Sequence, residues 1–136
     1  MKNGKVSYVH NWFGRDRYTI TSDQPVPAGK ATIRYEFVYD GGGAGKGGKG
    51  TIFVNGQKAA EGRIEKTVPF AFSGDETADV GQDDATPVTE DYKEGAHNNK
   101  FTGKIHKVVI EVGELKLGAA DRDGLHRADL QRMAAE

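Results

Sequence analysis

A cluster of acidic residues in segment 73–94 is the part of the sequence best suited to chemistry. Its carboxylates stand close together among small residues, and carboxylate oxygens are the ligands that a hard cation such as calcium prefers. The spacing does not match a D-x-D-x-D-G calcium loop, so a solvated acidic loop without a metal is the alternative interpretation. The candidate ligands for a structural Ca²⁺ are Asp75, Glu76, Asp79, Asp83 and Asp84.

The glycine-rich stretch GAGKGGK, from Gly43 to Lys49, has the spacing of a phosphate-binding G-x-x-x-x-G-K loop. Such loops need a Ser or Thr after the lysine to bind magnesium, and a helix follows them. Gly50 stands at that position here, and the next four residues have the β-branched composition of a strand. We therefore interpret this stretch as an inter-strand loop and not as a nucleotide site.

The other residue types with catalytic potential do not form a motif. The four histidines are isolated from one another in sequence, at His10, His97, His106 and His126. No serine stands in a nucleophile-elbow context. The absence of cysteine excludes disulfides, a thiol nucleophile and a thiolate metal site. A remaining enzymatic hypothesis uses Asp79, Asp83 or Glu90 as acid and base, and it requires that their geometry be held rigidly.

Size and charge narrow the possible partners. The chain of 136 residues fits one domain, and its net charge of −1 favours neither a nucleic acid nor an anionic membrane as a partner. Residues 75–94 carry 8 acidic residues and 1 basic residue, on a chain that is otherwise mildly basic. No apolar run is long enough for a signal peptide or a membrane span, so we expect a cytoplasmic protein by default. The alternative is a piece of a longer exported protein, for which the sequence does not predict the compartment.

Alternation of apolar and polar residues predicts an all-β chain. We expect strands at residues 5–13, 17–22, 31–39, 51–54, 58–64, 67–72 and 101–112. Asn55 and Gly56 suit a type I′ hairpin turn, since both tolerate positive φ. The pattern is typical of an antiparallel β-sandwich of the jelly-roll or concanavalin-like type over residues 1–118.

The tail, residues 119–136, differs from the rest of the chain. Asp121 or Asp123 could cap a short helix. Its apolar residues recur at helical spacing, at Leu125, Ala128, Leu130 and Met133. Because so short a helix is marginal alone, we expect it to dock on another surface.

Three parts of the sequence together resemble a known family. They are the loop from Ser22-Asp23 to Gly29-Lys30, the strand and glycine run at 37–48, and the acidic segment from Asp75 to Pro87. Residues 5–113 are similar to the C-terminal accessory domain of large bacterial arylsulfatases. These enzymes cleave sulfate esters with a formylglycine made in a C/S-x-P-x-R motif.

That catalytic motif does not occur in this chain. The residues two places before the four prolines are Asp23, Pro25, Thr67 and Ala85, and none is Cys or Ser. The resemblance thus implies a non-catalytic domain that docks on a sulfatase catalytic domain, in cis or in trans. The expected interface residues are Asp75, Glu76, Asp79, Asp91, Leu125 and Leu130.

A carbohydrate-binding module is the alternative, because jelly-roll domains often bind sugars on aromatic platforms. The aromatic candidates for such a platform are Trp12, Tyr18, Tyr39 and Tyr92. Trp12 and Tyr39 alternate in phase with core residues, which favours burial over display. An exposed edge strand could also pair two copies into a homodimer.

Overall fold

The computed structural model describes residues 1–12, 14–69, 78–83, 87–92, 99–113, 118–119, 122–124, 126–127 and 130. Five strands lie within these ranges: β1 (Ser7–Trp12), β2 (Asp16–Thr21), β3 (Ile33–Tyr39), β4 (Gly48–Val54) and β5 (Gln57–Ile64). β1 and β2 form one antiparallel sheet, and β3, β4 and β5 form a second one in that order. The predicted all-β character is confirmed, whereas the jelly-roll sandwich remains a prediction.

Glycine conformation sets two of the strand connections. Asn55 and Gly56 have φ values of 51° and 81°, so the predicted type I′ turn between β4 and β5 is confirmed. Between β3 and β4, Gly41, Gly42 and Gly43 all have positive φ. These are conformations that residues with a side chain rarely adopt. The glycine run therefore serves as a turn, and its last part enters β4.

The two sheets meet over a small apolar core. Ile20, Ile52 and Ile64 are buried, with 5%, 1% and 1% of their surface exposed. Ile20 projects from β2 onto Gly62 of β5 and Gly50 of β4. A Cβ at Gly62 would lie 2.8 Å from Ile20 Cγ1, so only glycine admits β2 at this distance. Close packing of the sheets thus depends on glycines in the larger sheet, since a residue with a side chain would not fit there.

The other face of the larger sheet is charged. Lys49 and Lys58 both lie near Glu61, with Nζ–Oε2 distances of 3.3 and 3.5 Å. Arg63 donates hydrogen bonds from Nη1 and Nη2 to the two carboxylate oxygens of Asp40, and these bonds hold the pKa of Asp40 below its usual range. A sheet with one packed face and one solvated face is the usual antiparallel arrangement.

Two predicted strands are wrong within the described residues. Residues 67–69 have no strand pairing, and 70–72 lie outside the described part. Residues 101–113 also pair with no strand, although they run from Lys104 to Gly113 without a turn or bend. Apolar alternation predicted a strand there, but a strand also requires a neighbour for its backbone.

The C-terminal region contains helical backbone. The described helical residues are Ala119, Arg122, Asp123, Gly124, His126, Arg127 and Leu130. The Arg122 N–H donates to the Gly118 carbonyl at 3.2 Å, which is the i→i−4 spacing of an α-helix. The predicted helix residues Asp121, Leu125, Ala128 and Met133 lie outside the described residues.

Candidate functional site

The described parts of the acidic segment are tied together through Asp83. Its Oδ2 accepts hydrogen bonds from the Tyr92 hydroxyl and, at 3.2 Å, from the Val88 N–H. Its main-chain carbonyl accepts from the Asn99 amide. The pKa of Tyr92 is raised to about 12, mainly because the phenol is partly buried and secondly because it donates to this carboxylate. Asp83 therefore acts as a hydrogen-bond acceptor that joins residues 87–92 and 99 to its own loop.

The same segment lies against the smaller sheet and the N-terminal residues. Arg17 Nη1 of β2 contacts Glu90 Oε1 at 2.8 Å, and Lys2 forms an ion pair with Asp91. The Asn11 side-chain amide donates to the Pro87 carbonyl at 3.4 Å. Acidic residues of the loop thus neutralise basic residues of the domain itself.

Two of the proposed metal ligands, Asp79 and Asp83, lie in the described part of the chain. Asp75, Glu76 and Asp84 lie outside the described residues, and Asp79 is exposed. Within the described ranges, no group of three or more histidine and acidic side chains could hold a metal ion. Calcium binding by the complete segment stays a prediction.

The described residues of the proposed interface and of the acid–base set have different surroundings. Asp91 pairs with Lys2, Leu130 is exposed, and Leu125 lies outside the described part. Of the acid–base candidates, Asp83 bonds to Tyr92 whereas Glu90 bonds to Arg17. These two carboxylates therefore have separate partners and separate roles in holding the loop.

The four platform aromatics are all half-buried. The Arg15 guanidinium lies 5.6 Å from the centre of the Trp12 ring. The Tyr39 hydroxyl donates to the Gly43 carbonyl and accepts from the Lys46 N–H, and it thereby holds the glycine turn. Tyr18 lies beside His10, with 6.3 Å between ring centres. Among the described rings, these four do not stack on one another, and sugar binding stays a prediction.

A pair of tyrosines that sequence reasoning missed lies between the sheets. The rings of Tyr8 and Tyr35 stack with centres 3.8 Å apart and planes within 9°. Burial raises the pKa of both phenols, whereas burial lowers the pKa of nearby His10 on β1. The in-phase aromatics of 5–13 and 31–39 could have suggested contact, but only the packing of the sheets shows which rings meet.

A gap lies beside β3, and we call it the β3 groove. One wall is residues 30–38, which include the outer edge of β3, and the other is formed by residues of segment 101–111. The groove has a volume of about 1060 Å³. Apolar side chains on both walls are exposed, and the same segment continues to Ile110 and Val112, which are 82% and 88% exposed.

Comparisons of the chain with protein-family models, with curated proteins and with solved structures find no match. Over the described ranges, no helix has the length and apolar composition needed to cross a membrane.

Proposed function

We propose that this chain is a non-catalytic accessory β-sandwich domain that docks on an arylsulfatase catalytic domain. The proposal combines the family resemblance of residues 5–113 with one structural observation. That observation is the uncovered apolar surface formed by the outer part of β3 and residues 101–113. Large exposed apolar patches on a protein surface mark sites of protein association.

The distribution of charge supports docking through this surface. Several charged residues of the described loops and of the solvated sheet face form ion pairs within the domain, as in Arg17–Glu90 and Arg63–Asp40. Exposed Val108, Val109, Ile110 and Val112 instead follow one another along a segment without strand partners. Apolar residues of this kind are suited to the centre of an interface, where charged residues are depleted.

The proposed docking surface differs from the interface expected from the sequence, which stays a prediction. Asp91, one of the expected interface residues, pairs with Lys2 of the same chain. In the proposed function, the acidic segment stabilises its own domain, and the apolar segment 101–113 meets the catalytic domain. Hydrolysis of the sulfate ester is then the work of the partner alone.

The test uses the full chain and a bacterial arylsulfatase purified without its own C-terminal region. We expect the two to form a complex in size-exclusion chromatography. We expect Ile110→Asp and Val112→Asp to weaken binding by about tenfold or more, because each places a charge in a desolvated contact. Both side chains are exposed in the free chain, so the variants should fold normally.

The matched control is Thr19→Asp, which adds the same charge at an exposed position of β2. We expect the control to bind as the unmodified chain does. The chain alone should not hydrolyse an aryl sulfate. The proposed docking surface is contradicted if the catalytic domain does not bind the unmodified chain, or if it binds all variants equally.

A further inference from the structure

The outer edge of β3 offers backbone hydrogen-bonding groups in a fixed pattern. The Asp40 N–H donates to the Gly47 carbonyl at 3.0 Å, and the Asn55 N–H donates to the Thr32 carbonyl at 2.8 Å. In an antiparallel ladder, bonded and non-bonded pairs alternate, so the even-numbered residues of β3 bond to β4. Among the β3 residues that line the groove, the groups that point to the free edge therefore belong to Ile33, Tyr35 and Phe37.

The opposite wall of the β3 groove presents side chains. Its segment is anchored where the Phe101 N–H donates to the Gly81 carbonyl at 2.7 Å. Beyond this anchor, the groove is lined by Lys104, Ile105, His106, Lys107, Val109 and Glu111, while Val108 and Ile110 do not line it. Side chains of this segment thus oppose the backbone edge of β3. Within the described residues, no backbone hydrogen bond joins the two walls.

We propose that the β3 groove binds an extended, acidic peptide segment, which adds to β3 as a new edge strand. Such strand addition is a common mode of peptide recognition, in which the main chain supplies affinity and side-chain pockets supply specificity. The inference rests on the proposed function, because the segment would be supplied by the sulfatase catalytic domain. Ile105 and Val109 would then cover one face of the bound strand.

The charge of the groove selects acidic side chains. Its walls carry Lys30, Lys104 and Lys107. Glu111 lies on the same segment as Lys104 and Lys107 and is acidic. Arg34 and Glu36 also line the groove but already pair with each other. The net charge of the groove walls is therefore positive, and carboxylates at alternate positions of the peptide could reach the lysines.

The experiment must distinguish the peptide from two other possible occupants of the β3 groove. The segment 104–113 could close directly onto β3, or β3 could pair with β3 of a second copy about a two-fold axis at Tyr35. The second arrangement would place Arg34 opposite Glu36 of the other copy. Either one would protect the backbone N–H groups of Ile33, Tyr35 and Phe37 before any peptide is added.

The experiment measures amide hydrogen exchange by NMR in the full chain. The probe is a seven-residue peptide of alternating Val and Glu, matching the 7 residues of β3, and the control peptide replaces Glu with Lys. We expect the three edge amides to exchange freely without peptide, at low and high protein concentration. The acidic peptide should slow their exchange, and the basic peptide should not.

Protection without peptide overturns the proposal in favour of closure, or of dimerisation where it depends on concentration. Equal effects of the two peptides, or no effect of either, overturn it as well. These outcomes do not involve the catalytic domain, so failure of the groove and failure of the proposed function are distinguishable.

A proline variant tests the pairing mode with the catalytic domain. Ile33→Pro removes an outward N–H while leaving the β3–β4 ladder intact, which is where an edge strand tolerates proline. Ile33→Ala keeps the N–H and shortens the side chain. We expect Ile33→Pro to weaken binding of the acidic peptide and the catalytic domain by about tenfold, and Ile33→Ala by much less. A catalytic domain that binds the proline variant normally docks without strand addition.

Discussion

Gly50 of β4 and Gly62 of β5 lie directly opposite each other in the antiparallel ladder. The side chain of Ile20 fills the space that their missing side chains leave. An added Cβ at Gly50 would lie 2.6 Å from Ile20 Cδ1 and 2.5 Å from the Tyr35 hydroxyl. The distance between the two sheets is thus set by one isoleucine and two glycines.

Gly62→Ala should destabilise the fold, because the new methyl group meets Ile20 from a neighbouring sheet. We expect a loss of about 1–3 kcal/mol in the free energy of unfolding, the usual cost of overpacking a core. Urea denaturation measures it. Gly113→Ala is the matched control, since a Cβ there contacts nothing within 4 Å, and it should change stability little.

Ile20→Ala should partly compensate for Gly62→Ala. Alone, Ile20→Ala removes buried methyl groups and should cost about 2–5 kcal/mol. In the double variant the alanine at 62 occupies part of the vacated space, so the combined loss should be smaller than the sum of the two single losses. Additive losses would show that the two residues do not share this space.

Tyr92 should titrate with a pKa of about 12 in the folded chain, above its ordinary value of 10.0. Because the folded state holds the proton more tightly, its contribution to stability is present below pH 10.0 and is lost as the pH rises towards 12. Tyr92→Phe should remove this part of the alkaline decline. Tyrosinate absorbance and denaturation at alkaline pH measure the two effects.

Calcium should leave the titration of Tyr92 unchanged if its ligands are other carboxylates of segment 73–94. The Tyr92 hydroxyl donates to Asp83 Oδ2, and a cation bound at that carboxylate would offset the negative charge that helps to raise the pKa of Tyr92. A lower pKa of Tyr92 after calcium addition would show that Asp83 is a ligand after all.

His10 should contribute to acid sensitivity. Burial on β1 lowers its pKa from the usual 6.5, so the folded state favours the neutral ring. The unfolded state takes up the proton first, and stability therefore falls as the pH drops below 6.5 towards the folded pKa. NMR titration of the His10 ring gives the pKa directly. His10→Gln should flatten the acid decline, and an unchanged slope would assign that decline to other groups.

Tyr39→Phe should loosen the glycine turn between β3 and β4. The hydroxyl bonds to the Gly43 carbonyl and to the Lys46 N–H, and the latter distance is 3.0 Å. We expect a loss of about 1 kcal/mol and faster amide exchange at Lys46, because the phenylalanine ring keeps the packing but removes both bonds. Unchanged exchange would show that the glycine backbone holds the turn alone.

Local patterns predicted the paired strands well. β3 and β5 begin within two residues of their predicted starts and end where predicted, because alternation and the Asn55-Gly56 turn are local properties. β4 begins at Gly48, earlier than predicted, because the glycines of the run had indicated only a loop. Pairing with β3 on one side and β5 on the other makes Gly48 and Gly50 part of the strand.

Local patterns were less informative about segment 101–112 and the acidic segment. Val108 and Ile110 alternate as a strand does, but strand formation needs a partner, which no periodicity supplies. Carboxylates such as Asp83 and Asp91 suggested a metal or an interface, and both remain predictions. The folded chain also brings Tyr92 and Lys2 to these two carboxylates. Those contacts span 9 and 89 residues, so short-range spacing carried no sign of them.

The sequence by itself determined an antiparallel β fold with a hairpin at Asn55-Gly56, since backbone preferences and side-chain alternation act over a few residues. Tertiary structure decided which glycines lie beneath Ile20, which basic residues the acidic segment meets, and which edge of β3 has no strand partner among the described residues. These depend on how distant segments approach each other. That approach is determined by the summed packing of both sheets and not by any one stretch of residues.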